Sequence, residues 1–171
     1  MLRTVTGMTV ALAIALSASG CGGGQSATQT TAAQQRAVAV YHAGLQRWAT
    51  QMIRALNGMS VLFSTPKAVR QLEAGERAVG VKLAGYERTL ARCTVVLKSL
   101  GAAPSRFVVI RRHALHACAN LERGAALVKR GVEEFQGGRG VAGFDTAAAP
   151  LNDGQLDIGL VRSELKPLAP G

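Results

Sequence analysis

From Val69 to Leu100 the chain repeats one step pattern, three residues and then four: Val69, Leu72, Glu76, Val79, Leu83, Tyr86, Leu90, Cys93, Leu97, Leu100. All but Glu76 are apolar or aromatic. A strand alternates every second residue, whereas this repeat places the series along one face of a helix that packs on a neighbour. Gly101 closes that helix and Pro104-Ser105 opens the next, which carries its own seam of Phe107, Ile110 or Arg111, Ala114, Cys118, Leu121, Ala125, Val128, Val132 and Phe135. A third series precedes them, from about Thr31 to Asn57, with Val38, Tyr41, Leu45, Trp48, Met52, Ala55 or Leu56, and then Met59.

The punctuation between these seams sets the expected architecture. Asn57-Gly58 offers a helix stop and Ser64-Thr65-Pro66 a helix start, so a loop is expected over residues 58–65. Residues 137–150, rich in Gly and Ala, read as a linker. Pro150 then begins a shorter helix, capped by Asn152 or Asp153, with Ile158, Val161, Leu165 and Leu168 on one face. Residues 31–136 are thus expected to form the bundle and 151–171 a short helix and tail. The fold expected is all-α: an antiparallel up-and-down helical bundle of three long helices plus a short C-terminal one. A length of 171 residues suits one domain, and 48% hydrophobic content excludes a disordered chain. No phosphate-binding glycine loop, dinucleotide fingerprint or internal repeat is present.

The first twenty residues read as a leader. Arg3 supplies a positive charge, the apolar run Val5 to Leu16 is shorter than a membrane-spanning helix, and Ser17-Ala18-Ser19-Gly20 leads in small residues to Cys21. This resembles the lipobox of bacterial lipoproteins, with Ala18 standing where the family usually has Leu. The resemblance implies cleavage after Gly20, a diacylglycerol and a palmitoyl-type acyl chain on Cys21, and a mature protein held at the extracytoplasmic face of the cell membrane. Residues 21–30, Gly/Ser/Thr/Gln-rich, are expected to act as a flexible tether. The alternative is a secreted protein cut at an Ala-x-Ala-like site, with Cys21 left as a thiol.

Cys93 and Cys118 occupy seams of successive helices, and export would place them where thiols pair. A disulfide is expected, against the alternatives of two reduced core cysteines or a metal site. Cys93 lies seven residues before Leu100 and Cys118 thirteen after Ser105. The roughly 9 Å offset must be absorbed by the intervening turn. Cys93, Leu97, Leu100, Gly101, Pro104 and Phe107, followed by Leu115, Ala117, Cys118 and Leu121, are together similar to small helical lipoproteins of actinobacteria. That resemblance implies the helix-pair disulfide and a surface location, and no activity.

Three histidines and ten carboxylates give little material for catalysis. His113, His116 and Cys118 form a His-x-x-His-x-Cys run with metal-pair spacing, but no neighbouring carboxylate completes it. His42 is isolated on the flank of the first helix. Trp48, Met52 and Met59 could line a copper or hydrophobic-ligand box, although Met at seam spacing usually fills a core. Glu76 is expected to reach solvent or to pair with Arg47 or Arg54. No Ser-His-Asp constellation is signalled, so no enzyme, cofactor or metal is expected.

Charge is the functional signal. Without Arg3 the chain has 19 basic and ten acidic residues. Arg88, Arg92, Lys98, Arg106, Arg111 and Arg112 follow one another with no acid between them. They surround the turn between the second and third helices, which the up-and-down order returns to the tethered end. Basic residues beside an anionic lipid surface contribute about 1 kcal/mol each. The expectation is a non-catalytic interaction or structural lipoprotein whose basic end touches anionic lipid or cell-wall polymer, with nucleic acid not expected. The alternative is a small-ligand or metal-binding lipoprotein that uses the bundle interior or His113 and His116.

Overall fold

The computed structural model describes residues 23–138 and 142–168, so the leader over 1–20 and Cys21 lie outside the described residues. Those described form a helical bundle of six α-helices and two 3₁₀ turns, with no strand among them. The helices are α1 (Gly23–Ser64), α2 (Pro66–Glu73), α3 (Arg77–Ala91), α4 (Cys93–Lys98), α5 (Val108–Gln136) and α6 (Ala142–Leu165). No helix among the described residues is long and apolar enough to cross a membrane.

The seams become the core. Tyr41, Leu45, Trp48, Met52 and Met59 of α1 are buried with Leu83, Leu90, Cys93 and Leu97, with Ala114, Cys118, Leu121 and Val128 of α5, and with Ile158, Val161 and Leu165 of α6. Each such Leu or Met side chain contributes on the order of 2 kcal/mol by leaving water. Trp48, Met52 and Met59 are therefore core filling. The Trp48 Nε1–H is buried without a hydrogen-bond partner.

Four boundaries differ from expectation. First, α1 does not stop at Asn57-Gly58 but runs on to Ser64. Gly58 serves close packing instead, since a Cβ there would lie 2.3 Å from Cζ of Tyr86. Second, the helix expected over residues 66–100 is three helices. Gly75 adopts φ 69°, the Gly75 N–H donates to the Leu72 carbonyl and the Glu76 N–H to the Gln71 carbonyl, a Schellman ending for α2. The seam hides this break because Leu72 and Val79 stay seven residues apart across it. Glu76 stands at the exposed start of α3, where its carboxylate accepts from Gln71 Nε2 at 2.9 Å, and not from Arg47 or Arg54.

Third, most of the segment expected as a linker is helical, for α6 begins at Ala142 and passes through Pro150. Pro150 removes one N–H from the ladder, yet the packing of α6 on α5 outweighs that loss. At the crossing a Cβ on Gly143 would lie 2.5 Å from Cα of Gly131, so only glycines allow the two backbones to approach this closely. The C-terminal helix is accordingly long, at 24 residues. Fourth, α1 begins at Gly23, inside the stretch expected as a tether, and Val38 is the first residue packed against the core among those whose side chains are described.

Candidate functional site

Cys93 and Cys118 are joined by a disulfide with their Cα atoms 5.1 Å apart. The expected offset is taken up by the turn after Lys98, where Gly101 adopts φ 79°, and by the 3₁₀ turn Ser105–Phe107, which delays α5 until Val108. Beside the bridge, the Thr94 N–H donates to Glu122 at 2.7 Å, so α4 is fastened to α5 twice.

The turn that carries the basic residues lies against the first packed part of α1. Leu100 covers Gly44, and the Tyr41 and Phe107 rings stand 5.3 Å apart. Of the six cations singled out by sequence, Arg88, Arg92, Lys98, Arg106 and Arg112 are exposed. Arg111 is half-buried and structural. Its guanidinium donates to Tyr41 Oη at 3.0 Å and to the Gly101 carbonyl, locking the turn to both helices. Arg106 stacks over Phe107 at 5.6 Å. The six do not form one cluster, since Arg88 sits three turns of helix back from the tip. Among the described residues, no Lys or Arg makes an ion pair with a carboxylate.

The histidines are engaged separately. His113 Nδ1–H donates to Glu164 at 3.0 Å and His116 Nδ1–H to Asp157 at 2.7 Å, which also accepts from Asn120 Nδ2. Asp157 and Glu164 are two turns apart on α6, so the imidazoles do not converge on one point. No group of three or more potential metal ligands occurs among the described residues. His42, 4% exposed, donates from Nε2 to the Leu165 carbonyl at 3.1 Å and ties α1 to the end of α6. Asp157 and Glu164 were invisible as partners because they lie over forty residues from the histidines; only the α6 face that repeats every seven residues hints at them.

Two hollows went unread in the sequence. One, of about 510 Å³, is apolar and is lined by Phe63, Leu72, Val128, Phe135, Phe144 and Leu151, with Asp145 the one charged residue on its wall. It lies where α1, α2, α5 and α6 meet, far from the basic turn. The other is a groove of mixed polar and apolar lining, about 780 Å³, between α1 and α3, with Arg47 and Arg54 on its α1 side. The signal for the groove was present: α1 contains three arginines and no acid over 42 residues.

Comparisons with protein-family models, with curated proteins and with solved structures found no match to this chain.

Proposed function

We propose that the protein is a membrane-anchored extracytoplasmic lipoprotein, tethered through Cys21, that acts as a non-catalytic interaction or structural module. In this reading its long helices are ordered up and down, and the end bearing Arg92, Lys98, Arg106 and Arg112 rests on anionic lipid or cell-wall polymer. One observation carries it: these cations are exposed, have no carboxylate partners, and surround a turn packed on the tether side of α1. Arg111 holds that turn in place and is removed from the contacting set. The test is the full chain with Cys21→Ser, mixed with anionic vesicles and with wall fragments. Salt-sensitive binding is expected, and its absence from both would end the proposal. Labelling cells with a radioactive fatty acid tests the anchor, and an unlabelled protein would refute it.

The second reading, a small-ligand carrier, is favoured by the apolar hollow of about 510 Å³, a volume suited to a small organic molecule. Ala148 also lines this hollow, so a neutral fluorescent probe such as N-phenylnaphthylamine should bind at one site and be excluded by Ala148→Trp. Probe binding unchanged in that variant would reject this reading.

A further inference from the structure

The cations of α1 belong to a different surface from the basic turn. Gln46, Arg47, Thr50, Gln51 and Arg54 make an exposed ridge along α1. On one flank lies the groove of about 780 Å³ shared with Tyr86 and Thr89 of α3. On the other flank a recess of about 320 Å³ is lined by Gln46 and Thr50 together with Arg162 and Lys166 of the α6 end. Four cations thus border one ridge. No acid lines either hollow.

Three acids of the neighbouring helices interact with α5. Glu164 and Asp157 engage histidines of α5, and Glu87 of α3 interacts electrostatically with Lys129 and Glu133 of α5 and with Arg88 of its own helix. The threonine hydroxyls are occupied, as Thr50 donates to the Gln46 carbonyl and Thr89 to the Gly85 carbonyl. What the groove offers a ligand is guanidinium, the amides of Gln46 and Gln51, and the half-buried Tyr86 ring. Arg47 and Arg54 repeat at about 10 Å along the helix axis.

We infer that this groove binds one strand of a linear anionic polymer, with carboxylates or phosphates repeating along the chain at Arg47 and Arg54 and the backbone of the polymer lying along α1. The orientation selects a strand over a membrane. The ridge runs along the side of the bundle, and a bilayer that touches the basic turn at the end cannot also lie along that side. Guanidinium is the cation best suited to bidentate contacts with either anion. The inference rests on the envelope location proposed above but assigns polymer binding to a site other than the basic end.

The experiment compares two charge-reversal pairs in the full chain carrying Cys21→Ser: Arg47→Glu with Arg54→Glu, and Arg106→Glu with Arg112→Glu. Each is titrated with polygalacturonate and with phosphatidylglycerol vesicles. The groove pair should weaken polygalacturonate binding at least about tenfold while vesicle binding changes by less than about twofold; the end pair should do the reverse. Equal loss of polymer binding in both pairs, or no loss in the groove pair, overturns the inference, as does loss of vesicle binding in the groove pair, which would make the ridge a membrane face. If vesicle binding is absent throughout while the groove pair alone loses polymer, the proposed role of the basic end fails and the groove stands. The milder pair Arg47→Gln with Arg54→Gln, checked for an unchanged melting curve, separates binding from folding.

Discussion

The α5–α6 seam and the outward face of α1 solve opposite problems with the same kind of helix. Along the seam, Gly131 and Gly143 let backbones touch, and two histidines on α5 each hold a carboxylate of α6. Along α1 from Gln46 to Arg54 the exposed residues are arginine, glutamine and threonine, hollows flank them on both sides, and the arginines have no acidic partner. Satisfied polar groups and close packing make a surface that needs nothing more. Unpaired cations that repel one another cost stability, and a chain that gathers them on one face retains an electrostatic attraction for anions. The difference shows that the excess positive charge is a matter of placement as well as composition.

The largest expected effect tests how the two sides are joined. Replacing Cys93 and Cys118 by Ala should lower stability by roughly 3 kcal/mol, read as a fall in the urea midpoint, because the bridge closes a 25-residue separation and fastens α4 to α5. A midpoint unchanged by reduction would mean the seam holds α4 without it. Next comes the seam itself. Gly143→Ala should cost about 2 kcal/mol, since the new Cβ meets backbone atoms of Gly131 and cannot be relieved by a rotamer. Gly159→Ala on the same helix meets nothing within 4 Å and should gain up to about 1 kcal/mol from helix propensity. Equal effects from the two substitutions would mean that α5 and α6 are not in close contact. A double-mutant cycle on His113 and Glu164, both about one-third exposed, should then give a coupling of only about 0.5 kcal/mol.

These cases also show what the chain made readable. The 3–4 repeat at Leu83, Leu90, Cys93 and Leu97 identified the core and the bridging cysteines, because a buried stripe and a buried pair leave a periodic trace. It could not reveal the break at Gly75, where the helix restarts in phase with itself. It misjudged the segment from Ala142 to Pro150 for a physical reason: Gly143 and Pro150 disfavour an isolated helix, and the energy that overrides them comes from a contact with Gly131, distant in the sequence. The candidate site divided in the same way. The run of cations from Arg88 to Arg112 was legible as a run, but that Arg111 serves the fold, or that Arg47 and Arg162 border one ridge, depends on which helices become neighbours.

The smallest expected effect bears on whether the acids stay on their own side. Burial raises the Glu87 carboxyl above its usual range, with Glu133 adding to the rise and Lys129 and Arg88 opposing it. A carboxyl whose folded-state value is raised binds its proton more tightly in the native protein than in the unfolded chain. Between the ordinary carboxylate value and the raised one, the native state therefore holds more protons, and stability falls as pH increases through that interval. Above it the penalty is constant. Glu87→Gln should remove this slope and raise stability near neutrality, by no more than about 0.5 kcal/mol, as urea melts across the acidic range would show. Because its charged neighbours across the interface are on α5, the substitution should leave polygalacturonate binding within about twofold. A marked gain in polymer affinity would mean that the Glu87 charge reaches the α1 groove, and the separation between the two faces would then be one of degree.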